Sequence, residues 1–343
     1  MGGIRIVQLE KKFGGRKVLD HFSLDVPAGC FLSLLGKSGA GKTTLIRSVA
    51  GLCPIDGGTI RIGDRDVAGS GRDIPPDQRG VGIVFQDLAL WPHMRVWENV
   101  AFPLEGTLSR RDRRRRAIEA LVEVRLEDRQ DSYPHEISGG EQRRVALARA
   151  LVGEPEVLLL DEPFSDLESS LREELMDRVR ELASRRGVAA IHATHIQEEA
   201  LAFADRLAVL HDGRILQQGD PEEVYARPQT PLVARLLGDY NLLCGERVGP
   251  NTVATPLGEW NVPEGEDEIL IGIRPEALQI DGVGDFEAKI LRRRFLGGRT
   301  LYQVDVRGEF LWVTGRGGLR IGETVRLAVD RNGAQTFSGV DDA

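Results

Sequence analysis

One eight-residue segment constrains the fold of this chain more than any other part of its sequence. The segment reads Gly36-Lys37-Ser38-Gly39-Ala40-Gly41-Lys42-Thr43. The apolar run Phe31-Leu32-Ser33-Leu34-Leu35 precedes it and predicts a strand buried on both faces. A helical pattern from Thr44 to Ala50 follows, with Gly51 as its expected stop. This order predicts a phosphate-binding loop: a strand, then a glycine-rich turn that ends in Gly-Lys-Thr, then a helix.

The chemistry of such a loop is anion capture. Small residues let successive backbone N–H groups point inward, and the N-terminus of the helix adds the positive end of its dipole. We expect Lys42 to reach the β- and γ-phosphates of a nucleotide, and the Thr43 hydroxyl to ligate Mg²⁺. The alternative is an accidental glycine-rich turn, which the flanking strand and helix disfavour. We therefore expect the loop Gly36–Thr43, with the adjacent Thr44, to bind a nucleotide.

A second motif carries two carboxylates at the end of another buried run. Val157-Leu158-Leu159-Leu160 is followed by Asp161-Glu162-Pro163. In an open α/β sheet, the ligand crevice lies at the carboxyl ends of the strands. We expect Asp161 to hold Mg²⁺, through water, and Glu162 to polarise the attacking water. The alternative is a turn that simply carries acids, because acids at strand ends are common.

Composition and charge limit the class of protein. The chain has 343 residues, of which 41% are hydrophobic and 29% charged, so it suits about two globular domains rather than a disordered chain. Its net charge of -8 argues against a general nucleic-acid binder. Three widely separated cysteines favour a reducing compartment over a disulfide framework or a zinc site. We find no secretory signal and no membrane span, and expect a soluble, cytoplasmic protein.

The texture of the sequence changes near residue 240. Before it, β-rich runs alternate with helical patterns, which predicts an α/β domain over residues 1–239. Its helices include Arg110 to Val124 and a final stretch from Pro221 to Leu237, with Gly238-Asp239 as the junction. After it, short strands at 268–273, 301–306 and 309–313 alternate with glycine-rich turns. These predict a small, all-β, OB-like domain over residues 240–343.

Between the two phosphate motifs, a helical pattern opens with Ile137-Ser138-Gly139-Gly140-Glu141-Gln142. Here the sequence resembles the ATP-binding cassette (ABC) family, and the resemblance spans about 4–238 with the motifs in the family's order. It implies a P-loop NTPase core with a helical subdomain at about 87–155, and ATPase activity with ATP and Mg²⁺. It also implies that Ser138, Gly139 and Gly140 meet the γ-phosphate held by the other subunit of a dimer. From the residues alone, Ser138 and Glu141 also predict a helix capping box.

The resemblance assigns roles to further residues. Phe13 matches the aromatic residue that stacks on adenine, although by itself it would more often be core. Gln86 matches the glutamine that senses Mg²⁺ and the attacking water, and His195 matches the histidine that contacts the γ-phosphate. His192 and His195 also suggest a metal pair, but no third ligand lies nearby in the sequence. The full expectation from the family is a catalytic set of Lys42, Gln86, Glu162 and His195 and a Mg²⁺ set of Thr43, Gln86 and Asp161.

Two positions depart from the family pattern. Glu168 stands where the loop after the second carboxylate motif usually ends in Asp, which puts the cross-subunit contact there in doubt. Lys37 stands where the family more often has Pro, without an expected penalty.

The C-terminal region resembles the TOBE module of bacterial import ATPases. The resemblance rests on the stretch 271–276, Ile-Gly-Ile-Arg-Pro-Glu, and on Phe295-Leu296-Gly297. Such a module implies dimer contact and regulation by an intracellular solute, and a purely structural role is the alternative. The segment 90–100 resembles the start of the helical subdomain that receives a permease's coupling helix, with internal packing as the alternative. The arginine run 110–116 favours a solvated helix face, balanced by Glu119, Glu123 and Glu127, over a nucleic-acid or membrane site.

These patterns together predict the ATP-hydrolysing subunit of a bacterial solute importer. The partners we expect are a second copy of the chain, two integral-membrane permease subunits and, indirectly, a solute-binding receptor, with no nucleic acid. The expected location is peripheral, on the cytoplasmic face of the inner membrane. One alternative is a soluble ABC ATPase acting on ribosomes or DNA; another is a non-hydrolysing nucleotide binder, which the intact catalytic set disfavours. The candidate substrates are ferric iron, polyamine or sugar, with a tilt toward the first two.

Overall fold

The computed structural model describes residues 2–69, 71–164, 169–264, 269–280 and 284–338. Its contacts divide the chain into two compact units, Met1–Glu222 and Glu223–Ala343. Within the described residues, no helix is both long enough and apolar enough to cross a membrane.

The first unit combines two sheets with helices. Its strands and helices are, in chain order, β1 (Ile4–Phe13), β2 (Arg16–Val26), β3 (Phe31–Leu35), α1 (Lys42–Ala50), β4 (Gly57–Ile62), β5 (Arg65–Gly69), β6 (Arg72–Asp73), β7 (Val81–Val84), α2 (Val96–Ala101), α3 (Arg110–Glu123), α4 (Gly139–Leu151), β8 (Val157–Asp161), α5 (Ser169–Arg186), β9 (Ala189–Thr194), α6 (Gln197–Ala202), β10 (Arg206–His211) and β11 (Arg214–Gly219). Short 3-10 turns occupy Pro76–Gln78, Phe102–Leu104, Glu127–Arg129 and Pro134–Glu136.

A six-stranded sheet forms the centre of this unit, in the order β11-β10-β3-β9-β8-β7. The pairs from β10 to β7 are parallel, and only β11 runs antiparallel. Every residue of β3, β8 and β9 is buried, as expected for parallel strands covered on both faces. The strands predicted at 31–35 and 157–160 are therefore confirmed, and their carboxyl ends lie at one edge of the sheet.

A second, antiparallel sheet in the order β2-β1-β4-β5-β6 was not predicted from the sequence. Its first strand alternates, with Ile4 and Ile6 buried and Arg5 and Val7 exposed, which is the pattern of a half-buried strand. Register shifts interrupt that alternation in β1 and weaken the period-2 signal.

Helices α2, α3 and α4 pack on the other side of the first unit and share one apolar core with β7 and β8. Ser109 caps α3, because its hydroxyl accepts a hydrogen bond from the Asp112 amide. The helix predicted from Arg110 to Val124 is thus confirmed to within a residue. Whether residues 87–155 behave as a separate subdomain stays a prediction.

The arginine run of α3 is a mostly exposed helix face, as predicted, but most of its acidic partners differ from the predicted ones. Glu119 does pair with Arg115, at 4.0 Å, whereas Glu123 pairs with Arg186. One further pair, Arg115–Asp112, lies within α3, and the remaining acidic partners come from other segments: Arg113–Glu105, Arg114–Asp131 and Arg116–Glu154. Tertiary neighbours of this kind cannot be deduced from i, i+4 spacing.

Arg79 is a buried side chain that fixes the end of α1. Only 1% of it is exposed, and its guanidinium donates to the carbonyls of Ser48, Val49 and Ile74. It also bonds Asp73 at 2.6 Å. Because carbonyls at a helix C-terminus lack partners within the helix, the cation satisfies them and interacts favourably with the helix dipole.

We predict that Arg79→Met destabilises the protein by about 3 kcal/mol or more, because several buried carbonyls lose their donor at once. The free energy of unfolding from urea titration is the measurement. The exposed neighbour Arg72 offers a matched control, since Arg72→Met is expected to change stability by less than about 0.5 kcal/mol. Equal effects from the two substitutions would contradict this role for Arg79.

The second unit is almost entirely β. Its elements are α7 (Pro221–Ala226), which begins two residues before the division, α8 (Pro231–Leu236), β12 (Asn241–Gly249), β13 (Thr252–Thr255), β14 (Gly258–Asn261), β15 (Ile269–Ile273), β16 (Leu278–Ile280), β17 (Phe286–Phe295), β18 (Thr300–Val306), β19 (Glu309–Gly315), β20 (Thr324–Val329) and β21 (Ala334–Ser338), with 3-10 turns at Pro275–Ala277 and Arg331–Gly333. Strands β16-β19-β18-β17-β20 close into a barrel, and β14-β13-β12-β15-β21 form a sheet. The predicted all-β, OB-like region is confirmed.

The segment before this sheet differs from its prediction in two ways. The single helical stretch predicted at 221–237 is two helices, because Pro228 lies between them and Thr230 caps α8. In addition, residues from 223 onward pack with the second unit rather than the first. Arg274 explains this, since it is buried and donates to the carbonyls of Tyr225, Ala234 and Asp239. An independently folding domain over 1–239 stays a prediction.

Candidate functional site

The loop between β3 and α1 leaves backbone donors available. Gly41 is the N-cap of α1 and has a φ of 110°, which favours glycine. A Cβ there would also lie 2.9 Å from the Val18 carbonyl oxygen. No side chain caps this helix and its first turn holds no acid, so its first N–H groups and positive dipole can serve an anion.

Lys42 directs its ammonium group back into this loop. Only 4% of the residue is exposed, and Nζ donates to the carbonyls of Gly36 at 2.7 Å and Lys37 at 3.1 Å. The same Nζ lies 3.2 Å from Glu162 Oε1. The loop therefore holds one buried cation, whose position is set by the backbone of the loop and by the Glu162 carboxylate, which directly follows β8.

The other members of the loop differ in accessibility. Gly36, Ala40 and Gly41 are buried, Thr43 and Thr44 are half-buried, and Lys37, Ser38 and Gly39 are exposed. The exposed residues form the outer wall of the loop, where a ligand can approach.

Thr43 and Asp161 bring two hard oxygen ligands together. The Thr43 hydroxyl donates to Asp161 Oδ1 at 3.1 Å. Burial raises the pKa of the Asp161 carboxyl, and the Thr43 hydrogen bond only partly offsets this. A carboxylate that is desolvated in this way, beside a hydroxyl, suits a divalent cation.

Glu162 and His195 form a close pair at the same edge. Glu162 Oε2 lies 2.7 Å from His195 Nδ1, so the two oxygens of this carboxylate face an imidazole and the Lys42 ammonium. The Glu162 backbone has a φ of 46°, a strained conformation that is fixed by a hydrogen bond from its N–H to the Ala193 carbonyl. His195 is about half exposed, at 49%, so it faces solvent beyond the pair.

The parallel register explains why these groups meet. Leu35 lies opposite Thr194, and Asp161 lies opposite Ala193. The strand ends that lead to the loop, to Glu162 and to His195 are therefore level. Gln86 follows β7, whose Val84 lies opposite Leu160, and is exposed in a turn at this edge.

Phe13 is the residue predicted to stack on adenine. Phe13 ends β1 and is 52% exposed, with the Lys11 ammonium 5.1 Å from its ring centre. Its ring is therefore accessible rather than core.

Ser138 is the N-cap of α4, and the predicted capping box with Glu141 is present. Ser138 and Gly139 are exposed and Gly140 is buried.

The metal pair that the sequence suggested at His192 and His195 is not present. His192 is fully buried and does not join His195 in a metal site. Its Nδ1 lies 3.3 Å from the Ser33 hydroxyl, and its Nε2 lies 3.5 Å from Glu199. Glu168 lies outside the described residues. Sequence analysis missed Glu199, because a single acid in a helical pattern gives no signal of burial.

The chain matches two protein families and is similar to curated import proteins. Residues 19–165 match the ABC transporter family, and residues 271–337 match the TOBE domain. The chain is 39% identical over 317 residues to the spermidine/putrescine import ATP-binding protein PotA of Aliivibrio fischeri, across 88% of this chain and 84% of that protein. It is 43% identical over 285 residues to the sulfate/thiosulfate import ATP-binding protein CysA 2 of Agrobacterium fabrum, across 80% and 81%.

The chain belongs to the ABC transporter ATPase family.

Solved structures agree with this membership. A dimeric ATP-binding cassette in a post-hydrolysis state bound to ADP and Pi superposes with a TM-score of 0.57 at 30% identity. The match covers 64% of this chain and 98% of that chain. A dimeric bacterial ABC transporter cassette gives the same TM-score at 31% identity. The predicted family, P-loop fold with a TOBE module, ATP binding and ATPase activity are confirmed.

We predict that Lys42→Ala reduces ATP hydrolysis by this ABC ATPase about 10²-fold or more, to background, because it removes the buried cation of the loop. Phosphate release by the purified protein is the measurement. Lys289→Ala removes an exposed lysine in the second unit and is expected to keep the parental rate. Hydrolysis at the parental rate by Lys42→Ala would contradict the assignment of this loop.

Proposed function

We propose that this chain is the ATP-hydrolysing subunit of a bacterial solute importer. It works as a homodimer beneath two integral-membrane permease subunits, at the cytoplasmic face of the inner membrane, and a solute-binding receptor supplies the solute. The main support is the joint match of this chain to the ABC transporter family and the TOBE domain. Its similarity, over at least 80% of its length, to relatives named as import ATP-binding proteins adds to that support. The dimeric state of the similar cassettes supports the homodimer.

The candidate solutes are those that the relatives' names allow. One relative is named for polyamine import and the other for sulfate and thiosulfate import, which are a cationic and an anionic class. A polyamine, which the sequence also suggests, is our first candidate.

The residues at the sheet edge fit Mg²⁺. Thr43 and Asp161 offer hard oxygen ligands 3.1 Å apart, and we propose Gln86, from the neighbouring strand end, as the third. Bound there, the ion would neutralise charge on the β- and γ-phosphate oxygens. The remaining polar contacts come from the loop Gly36–Thr43 with Thr44. Phe13 supplies an accessible aromatic face for adenine.

Within this proposal, Glu162 is the general base. Its two oxygens are already oriented, one by Lys42 at 3.2 Å and the other by His195 at 2.7 Å. The phosphates compete with Glu162 for Lys42, so ATP binding leaves Oε1 free to accept a proton from water. That water attacks the γ-phosphorus, and the bond from phosphorus to the bridging oxygen breaks, which yields ADP and phosphate. His195 holds Oε2 and contacts the γ-phosphate.

The second copy of the chain completes the site. Ser138 and Gly139 are exposed at the N-terminus of α4, Gly140 is buried next to them, and the helix dipole at this end favours an anion. We propose that this end contacts the γ-phosphate bound by the partner. Bound ATP then forms part of the interface and favours closure by mass action.

We predict that Glu162→Gln keeps ATP binding but lowers hydrolysis about 10²-fold or more, because the amide cannot accept the proton. ATP should then keep the two copies closed. In a cysteine-free background, labels at Arg47 of one copy and His135 of the other should approach with ATP and separate with ADP.

Adding Ser138→Arg to this background should prevent the approach without preventing ATP binding, because the bulky cation blocks the helix N-terminus. Labels whose separation ignores ATP would contradict the two-site dimer, even if hydrolysis falls as predicted.

A groove in the first unit is the proposed permease contact. It has a volume of about 400 Å³, and its lining includes Ile83, Trp91, Phe102 and Arg149. The Trp91 and Phe102 rings lie 4.1 Å apart, and the Arg149 guanidinium lies 5.2 Å from the Trp91 ring. Trp91, from the segment 90–100, therefore packs against Phe102 in a half-buried aromatic wall, and we propose that this wall also contacts the permease.

The groove connects directly to the turn after Gln86. Arg149 donates to the carbonyls of Leu88 and Ala89, at 2.6 Å each. The buried Asn99 side chain fixes the Trp91 backbone: it accepts a hydrogen bond from the Trp91 N–H and donates one to the Trp91 carbonyl. A helix that occupies the groove would therefore press on residues that hold the turn carrying Gln86.

We predict that Phe102→Glu abolishes co-purification of the permease subunits, because it places a charge in the aromatic wall, while ATPase activity of the isolated subunit stays within about twofold. Leu108→Glu is the matched control, since Leu108 is also exposed and apolar but does not line the groove. Recovery of ribosomes or DNA in place of membrane subunits would contradict the importer assignment and support the alternative predicted from the sequence.

A further inference from the structure

A cluster of polar side chains, all buried except the half-buried Arg172, lies next to the turn that carries His195. We call it the Glu199 cluster; its members are Ser33, Arg172, His192, Thr194 and Glu199. Each member comes from β3, α5, β9 or α6, so the cluster joins the strand that leads to the phosphate loop with the strand that leads to His195. Neither the ATP-binding nor the proton-accepting roles proposed above use it.

Glu199 is the centre of this cluster. Only 3% of it is exposed, although it carries a carboxylate. The Thr194 hydroxyl donates to its Oε2 at 2.7 Å, and the Arg172 guanidinium lies 3.3 Å from its Oε1. Burial alone would raise the pKa of this carboxyl, but the contacts from His192, Thr194 and Arg172 outweigh burial and hold it below its usual range. Glu199 is therefore an ionised acid whose compensation comes from its neighbours.

Thr194 transmits the position of Glu199 to the catalytic turn. Its hydroxyl oxygen accepts a hydrogen bond from the Ile196 amide at 3.0 Å while its proton is given to Glu199. These two bonds fix the backbone on both sides of His195, which lies between them in sequence. No other side chain caps α6, whose N-cap is Ile196.

His192 ties the same carboxylate to the strand before the phosphate loop. His192 Nε2 faces the Glu199 carboxylate at 3.5 Å, and this placement favours the tautomer that carries the hydrogen on Nε2. Nδ1 then accepts from the Ser33 hydroxyl at 3.3 Å. The resulting chain of contacts runs from Ser33 through His192 and Glu199 to Thr194, and ends at the amide after His195.

We propose that Glu199 is a positioning residue for ATP hydrolysis, which acts through Thr194 to hold His195 against Glu162. The inference rests on the proposed roles of His195 and Glu162. A buried ionised carboxylate is expensive, and good apolar packing would serve stability as well or better. Its position, bonded to the residue before His195, gives this carboxylate a geometric task instead. A displacement of His195 by about 1 Å would lower the catalytic rate up to about 10²-fold, while the loop Gly36–Thr43 would still bind ATP.

The first test compares Thr194→Val with Thr194→Ser. The valine has the same shape but no hydroxyl, whereas the serine restores the hydroxyl. We expect kcat for ATP to fall roughly 10-fold or more in Thr194→Val and to recover in Thr194→Ser, with KM for ATP within about twofold in both. Equal kcat values for the two variants would overturn the proposal, as would a fall in kcat that follows a loss of folded protein on thermal unfolding.

The second test compares Glu199→Gln with Glu198→Gln, an exposed neighbour on the same helix. Glu199→Gln should lower kcat, whereas Glu198→Gln should not. Both substitutions are then repeated in a His195→Ala background. Hydrolysis there is slow, so it is measured in single-turnover reactions with excess protein, and the rate of Glu162→Gln serves as the baseline. If Glu199 acts through His195, its substitution has no further effect there.

The outcomes separate this inference from the proposed function. A His195→Ala variant with the parental kcat would overturn the proposed role of His195 and the inference with it. His195→Ala is expected to lower kcat. If Glu199→Gln then lowers kcat in the His195→Ala background by the same factor as in the parental protein, only the inference fails. Should Glu199→Gln not fold, the Thr194 pair measured in the same two backgrounds decides the question.

Discussion

The site depends on the parallel register of the central sheet. Because Leu35 lies opposite Thr194 and Asp161 opposite Ala193, three strands end at the same height. Residues far apart in sequence, such as Lys42 and Glu162, then come within 3.2 Å. A shift of one residue in any of these pairings would turn buried side chains toward the other face of the sheet. Because β3, β8 and β9 are packed on both faces, such a shift would require repacking on both sides of the sheet, so the core of the first unit sets the geometry of its chemistry.

Charge at this edge is balanced locally rather than by solvent. Burial of the Asp161 carboxyl raises its pKa, and the neighbouring Thr43 hydroxyl offsets that only in part. Lys42, by contrast, is matched by two carbonyls and by Glu162. The Asp161 carboxyl therefore favours an added cation. The Lys42 ammonium is itself a cation, and a bound phosphate can replace Glu162 as its partner. The two halves of a magnesium–nucleotide complex would therefore meet complementary partners after β3 and at the end of β8.

The sequence predicts those parts of the site that depend on local order. The loop 36–43, the acids at 161 and 162 and the cap at Ser138 each follow from a few consecutive residues, and the structure places them as expected. Residues whose role depends on tertiary contacts were missed. Arg79 and Glu199 are single charged residues in unremarkable segments, and only the fold shows that each is buried among carbonyls or polar side chains. The antiparallel sheet was missed because bulges in β1 break its alternation.

The turn after Gln86 shows how a distant surface can reach the site. Leu88 and Ala89 have φ values of 59° and 43°, which are unfavourable for residues with a Cβ. They keep this conformation because Arg149 holds both of their carbonyls. Burial lowers the pKa of Arg149 to about 10, so the guanidinium stays charged at neutral pH while it remains poorly solvated. The same guanidinium faces Trp91 in the groove proposed for the permease. A partner that moves Trp91 would act on the Arg149 guanidinium, which holds this strained turn in place, and the turn follows directly from the strand end that presents Gln86.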